Sequence, residues 1–330
     1  MRSGGDGCAK FLQQHVYRNL SREISMRRLQ QTQQPVPDGS TAAPKLAPIT
    51  PDLMHDAFTS AYLMSNLQLR SSSQISVTSG STAATAVLTT GAAGSRWLHL
   101  ANVGDTAAVL CIANPEKAHA WEPQRLHQTH RPSTPSERAR VAGAGGFILR
   151  GRLNGTLAVT RAFGNHGSPR QLSLAELSTA PGASVTLPPT TSEGERDQQE
   201  DYYPCGVDEG FDGSTSSLCS RTAMEGLSVV PATRSVRIGD DAVFLVLCCD
   251  GVTDVMTDAQ IIATVHEGYS KLLRRSEHEQ QADSSTAASK GDGSTLPMMR
   301  GVAGKLARWL VHSALKRGSR DNCSAIMLLL

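Results

Sequence analysis

Apolar residues recur along this chain in two rhythms. Over Asp52 to Arg70, Leu53, Ala57, Ala61 and Met64 lie on one stripe, with Met54, Phe58 and Tyr62 beside it. That is a helix period. Cys8 to Leu20 and Met298 to Lys316 read as further helices, the second stopped by Gly318. Thr134-Pro135-Ser136-Glu137 has Thr where a helix cap belongs, Pro at the first helical position and Glu three residues after the cap. This predicts a capping box and a helix running to Gly145-Gly146. Thr257 to Gln260 repeats the same logic ahead of Ile261, Ile262 and Val265. Short apolar runs predict strands at Ala83–Thr89, Trp97–Val103, Ala107–Ile112, Thr156–Thr160, Leu227–Val230, Val243–Cys249 and Ser324–Leu330. Gly91 and Gly94 mark a hairpin, and Asn102-Val103-Gly104-Asp105 a sharp reversal. The strands arrive in runs and not in strict alternation with helices, which predicts an α+β fold of packed sheets and helices.

Three polar stretches interrupt these rhythms: residues 31–51, with five prolines, residues 166–226, and residues 276–296. Within the second, Glu193 to Asp212 carries eight acidic residues against the one basic Arg196, a balance that favours solvation over burial. All three read as loop insertions in a single domain covering residues 1–330.

Composition narrows the class. Lys and Arg exceed Asp and Glu by only 32 − 30 = 2 over 330 residues, so no bulk basic stripe for nucleic acid is present. Aromatics make up 4%, so aliphatic and small residues must fill the core. The longest clean apolar run, Ala242 to Cys249, is far short of the roughly 20 residues that span a bilayer. No secretory h-region opens the chain, and the seven cysteines contain no C-x-x-C spacing. These features predict reduced thiols, no membrane partner, and a cytoplasmic or nuclear protein acting as a monomer.

The residues of chemical interest are carboxylates where apolar strands begin or end. Asp250-Gly251 follows the run Val243 to Cys249, Asp321-Asn322 precedes Cys323 to Leu330, and Asp105 occupies the turn between two strands. Hard divalent cations take oxygen ligands of this kind on rigid supports. Asp-Gly and Asp-Asn are equally ordinary turn pairs, so spacing alone leaves both readings open. Asp254 reads as a turn or cap residue. His15, His55, His99 and His130 have no zinc-type partner and read as structural or exposed. There is neither a G-x-S-x-G serine elbow nor a Walker loop.

Six segments, in order along the chain, resemble one family. They are SGSTAATAVL (79–88), ANVGDTAAVL (101–110), THRPSTPSERARVAGAGGFI (129–148), NGTLAVTRAFGN (154–165), FLVLCCDGVTDVM (244–256) and GSRDNCSAIML (318–328). The resemblance is to the metal-dependent serine/threonine phosphatases of the PP2C (PPM) type. It implies a four-layer α-β-β-α sandwich of two antiparallel sheets flanked by helices. It also implies phosphoprotein substrates and two Mg²⁺ or Mn²⁺ ions that activate a water against phosphoserine or phosphothreonine. By motif position Asp250 and Asp321 match metal ligands, and Asp105 the aspartate of a further, weaker metal. Gly251, Asp254 and Asn322 match positions read as structural. Asn165 stands where the family usually has Asp. The family's N-terminal Asp-Gly-His-Gly-Gly aligns with Met1 to Gly5 only through Gly4-Gly5, and its earlier Arg and Glu-Asp motif has no counterpart. The expectation is therefore a chain without the family's early strands, with no catalytic acid assigned and weak or no turnover. The alternative is a catalytically silent fold member that binds or regulates partners.

Overall fold

The computed structural model describes residues 5–32, 46–91, 94–114, 121–166, 224–283 and 301–330, with no side-chain description for 275–283. In chain order the elements are α1 (Gly7–Thr32), α2 (Pro51–Arg70), β1 (Gly80–Ser81), β2 (Ala83–Thr90), β3 (Arg96–Val103), β4 (Ala107–Ala113) and β5 (Trp121–Arg125). There follow α3 (Pro135–Gly143), β6 (Ile148–Leu149), β7 (Arg152–Leu153), β8 (Phe163–Gly164), β9 (Ala232–Ile238) and β10 (Ala242–Cys248). The chain closes with α4 (Asp250–Thr253), α5 (Asp258–Asp283), α6 (Val302–Lys316) and β11 (Ala325–Leu329). Helix α5 thus runs into the polar stretch that begins at Ser276. Most of residues 31–51 and 166–226, and the stretch from 284 to 296, lie outside the described residues.

The described chain divides into two compact units. The larger takes residues 15–64, 82–129 and 230–330. It holds two antiparallel sheets, ordered β11-β10-β4-β5 and β2-β3-β9. Leu98 and Leu100 of β3, Ala108 and Leu110 of β4, Ile238 of β9 and Leu245 of β10 form one core cluster between them. Side chains alternate along a strand. Ala107, Val109 and Cys111 of β4, with Phe244, Val246 and Cys248 of β10, therefore face the other way. There they pack against Ile261, Ile262 and Val265 of α5 and Leu306, Leu310 and Ala314 of α6. A register shift between Ala242 and Phe244 turns Ala242 onto the inner face. With both faces covered, β10 has no polar position to spare, which is why it reads as an unbroken apolar run.

Helix α2 covers the β2-β3-β9 sheet within this unit. The Tyr62 hydroxyl bonds Thr85 Oγ1 at 2.8 Å and reaches the Ala101 carbonyl at 3.3 Å. His55 Nδ1 bonds Thr233 Oγ1 at 2.6 Å. The stripe Leu53, Met54, Ala57, Phe58, Ala61 and Tyr62 is buried as its period predicts, whereas Met64 is 37% exposed. His99 is fully buried and bridges Thr89 and Ser235 across the three strands, a structural role.

The smaller unit takes residues 1–14, 65–81 and 130–229, and its described part is built on short pairings. Strands β1 and β8 pair Gly80 with Gly164, and β6 with β7 form a tight ribbon. Thr156–Thr160 is not the strand its composition predicts: Leu157 makes only an isolated bridge to Leu153. Leu227–Val230 likewise contributes one bridge, from Ser228 to Arg161. Leu153 N–H bonds Leu157 O at 2.7 Å within a turn, and Ser228 N–H bonds Thr160 O at 3.2 Å between the two segments, so neither run builds a strand ladder.

Candidate active site

In the larger unit β10 lies between β11 and β4. Its last residue, Cys248, is in register with Ala325 of β11 and with Ala107 of β4. Asp250 lies two residues beyond Cys248, Asp105 two before Ala107 and Asp321 four before Ala325. Adjacent strands are about 4.8 Å apart, so all three aspartates leave the sheet at one end over three neighbouring strands. Asp105 is buried, Asp250 half-buried and Asp321 exposed.

Each approach is built by its own local chemistry. Asp105 follows Gly104, whose φ of 103° suits glycine. The buried Asn102 side chain donates to Gly104 O at 3.1 Å and accepts from the Thr106 hydroxyl, which closes the turn over Asp105. Asp250 starts the short helix α4, and its Oδ1 accepts from the Gly251 N–H at 2.9 Å. Asp321 Oδ1 accepts from the Asn322 N–H at 2.7 Å. Asp254 N–H bonds Asp250 O at 2.8 Å and serves the backbone of that short helix, as a turn residue should.

A thiol clasp binds the segment that follows β10 to the segment that precedes β11. Cys249 Sγ donates to Asn322 O at 3.0 Å and accepts from the Ser324 N–H at 3.1 Å. Ser319 Oγ donates to Gly251 O at 2.6 Å, and Cys323 Sγ donates to the same oxygen at 3.4 Å. The neighbouring Cys-Cys pair and the cysteine two residues after Asp321 were visible in sequence, but thiol-to-carbonyl bonds have no sequence signature. Cys8, Cys111, Cys248, Cys249 and Cys323 are free thiols. Burial pushes Cys8, Cys111 and Cys248 up to about 12, so these three are inert at neutral pH.

Motifs of the smaller unit also meet. Ser79 Oγ accepts from the Cys8 N–H at 3.2 Å and donates to Gly5 O at 3.2 Å. Ser79 O accepts from the Asn165 N–H at 2.9 Å, and Asn66 Oδ1 accepts from the Gly164 N–H at 2.9 Å. Asn165 itself has φ 53°, a conformation that Asn and Asp tolerate better than most residues. Glu137 does not close the capping box predicted for it, and Thr134 makes no side-chain cap bond. Buried in this unit, Glu137 instead binds Arg161 at 2.6 Å, Arg140 at 2.9 Å and the Thr160 hydroxyl at 2.6 Å. Two guanidiniums within reach of one buried carboxylate outcompete a solvent-facing cap.

The oxygen donors of Asp105, Asp250 and Asp321 fit Mg²⁺ or Mn²⁺ in kind. In number they fall short of a closed site: among the described residues no group of three or more His, Cys, Asp or Glu side chains is gathered to hold a metal ion. Among those residues, too, no helix is long and apolar enough to cross a membrane.

The architecture and the order of these motifs define a class, the antiparallel sandwich phosphatases. The family model described as protein phosphatase 2C matches residues 2–290, and the chain belongs to that family. It is 30% identical over 208 residues to the rice protein named "Probable protein phosphatase 2C 47", covering 63% of this chain and 38% of that protein. It is 25% identical over 231 residues to the rat "Protein phosphatase 1B", covering 70% of this chain and 38% of its relative. The chain therefore spans well under half the length of these curated relatives. A serine-threonine phosphatase 2C structure from Toxoplasma gondii shares the fold, with a TM-score of 0.53 at 18% identity, over 98% of this chain and 81% of that one.

Proposed function

We propose that this chain forms the core of a metal-dependent protein serine/threonine phosphatase that hydrolyses phosphoserine and phosphothreonine in protein substrates. The observation that carries the reading is the shared register at the sheet end. Asp105, Asp250 and Asp321 leave three hydrogen-bonded neighbouring strands on one side. In this reading Asp250 and Asp321 are ligands of Mg²⁺ or Mn²⁺, and Asp105 serves a further ion. Such ions, when bound, supply a water of lowered pKa and offset charge on phosphoryl oxygens. The chain's own contribution is positional. Gly251 and Asn322 N–H groups each hold one carboxylate oxygen, which fixes how the other is presented. Both compact units belong to one phosphatase domain in this reading, because the family match runs through both. The protein acts as a monomer in the cytoplasm or nucleus.

The test is turnover of a phosphothreonine peptide in Mn²⁺ by the purified chain, beside a thermal melt with and without the metal. Mn²⁺-dependent hydrolysis that is lost in Asp250→Asn and in chelator, with the fold retained, is the expected result. A second reading rests on the absence of a three-ligand group among the described residues. In it the chain is a silent member of the family that binds partners. A folded chain with neither turnover nor a Mn²⁺-dependent rise in melting temperature would overturn the first reading and leave the second.

A further inference from the structure

Helix α6 presents two faces of opposite character. Leu306, Leu310 and Ala314 are buried against the sheet. Lys305, Arg308, Trp309 and His312 follow the i, i+3, i+4, i+7 spacing of one face turned the other way. This second face and the Gly268, Lys271 and Leu272 turn of α5 enclose a groove of about 350 Å³. Its floor is apolar: Leu272, Leu306 and the indole of Trp309. The helices approach this closely because residue 268 is glycine. A Cβ there would stand 3.0 Å from Trp309 Cδ1 and 3.2 Å from Leu306 Cδ2. Lys271 Nζ sits over the indole at 4.5 Å from its centroid, and Lys305, Arg308 and His312 are exposed along the rim.

Charge here is one-sided although the whole chain is nearly neutral. Between Gly301 and Arg320 there are five Lys or Arg residues and no Asp or Glu. Among the described residues of α5, the acid beside the groove, Glu267, is paired with Lys271 at 2.6 Å. An occupant must therefore bring anions to the rim and an apolar group to the floor.

We propose that this α5–α6 groove is a docking site for an acidic peptide segment of a partner protein, anchored by one aromatic or large aliphatic side chain. The acidic flanks pair with Lys305 and Arg308, and the anchor packs beside Leu272 on Trp309, displacing the Lys271 ammonium from over the indole. Cationic rims with a single aromatic platform suit this mode, in which the anchor supplies affinity and the charges supply orientation and rate. A lipid surface is disfavoured because the apolar face of α6 is already spent on the sheet. A nucleic acid is disfavoured because the groove is concave and offers one aromatic where single strands use a row of them.

The experiment uses the whole chain and a short fluorescent peptide of Glu and Ser residues around one central Phe. Binding should weaken as salt rises, and should weaken when the Phe is replaced by Gly. It should fall at least about tenfold in the Lys305→Glu, Arg308→Glu double variant, the scale of lost interfacial charge pairs. Both positions are exposed, so the variant should melt like the parent. On the unaltered chain, bound peptide should also protect Lys271 and Lys305 from acylation. Absent binding, equal binding by the double variant, or unprotected lysines overturns the proposal. Tighter binding of anionic vesicles or single-stranded DNA than of the peptide, lost in the same variant, overturns it in favour of those ligands.

Discussion

A Cβ on Gly251 would lie 2.4 Å from the carbonyl oxygen of Asn322. The two residues belong to different motifs, 71 positions apart in sequence, and each directly follows an aspartate of the candidate site. Backbone against backbone at this distance leaves nothing flexible to yield. The glycine is therefore the condition for Asp250 and Asp321 to leave neighbouring strands in register.

Gly251→Ala should accordingly destabilise the protein by about 1–3 kcal/mol, the usual cost of overpacking a close contact. It should also lower any Mn²⁺-induced rise in melting temperature, because separating the segments moves the carboxylates they carry. Thermal melts of parent and variant, each with and without Mn²⁺, read both effects.

Thr257 caps α5 in full. Its Oγ1 accepts from the Gln260 N–H at 3.3 Å, and Gln260 Oε1 accepts from the Thr257 N–H at 2.9 Å. Thr257→Ala removes one of these two bonds and should cost about 1 kcal/mol, measured by denaturant titration. Thr257→Ser should recover most of that loss.

His127 is held down to about 4, chiefly by burial and further by the charge of Arg125, against a hydrogen bond to Gln128 O that pulls it up. The folded protein therefore declines a proton that the unfolded chain accepts near 6.5. Its contribution is fully present above pH 6.5 and is lost as pH falls from there to about 4. His99 and His166 are lowered in the same direction, also mainly by burial. His127→Gln should flatten part of the stability loss between pH 6.5 and 4, and the His127 ring resonances should not titrate until about pH 4.

Elements with a clear apolar run or helix period were legible in the sequence: α2, β2, β3, β4, β10 and β11. The two-residue strands β1, β6, β7 and β8 and the longer β5 and β9 were not. WEPQR at β5 carries Pro123 and charge because it is an edge strand with three exposed central residues, where a missing N–H costs no ladder bond. ATRSVRI at β9 is likewise an edge, and its arginines hide the alternation. The strand-end placement of Asp105, Asp250 and Asp321 was legible in the sequence, and the sheet register accounts for why their three strands end together. The clasp of Cys249 and Cys323 was not legible, because it depends on which carbonyls the folded chain brings to the thiols. Glu137 shows the same limit. The pattern Thr-Pro-Ser-Glu fits a capping box, and only burial reveals that the carboxylate has stronger partners.

Glu137 is held ionised against its own burial. Burial alone would raise its pKa, but hydrogen bonds from Arg161, Arg140 and the Thr160 hydroxyl outweigh that and hold it down to about 2 against an ordinary 4.5. The ionised form is thus favoured by folding. Its contribution is fully present above pH 4.5 and is lost as pH falls from there towards 2. Arg140 also donates to Gly226 O at 3.0 Å and Thr160 O at 2.8 Å, so the carboxylate orients a cation that ties three segments of the smaller unit. Glu137→Gln keeps the shape and removes the charge, leaving two guanidiniums without their anion. At neutral pH the variant should be less stable by about 3–5 kcal/mol, the cost of breaking a buried pair on one side. The gap should shrink as pH drops from 4.5 towards 2, because the unfolded parent then takes up a proton that the folded Glu137 still declines. Urea titrations of both proteins at pH 7 and at successively lower pH measure the gap. A gap that stays constant down to pH 3 would mean that Glu137 acts by shape and packing, and that its ion pairs add nothing.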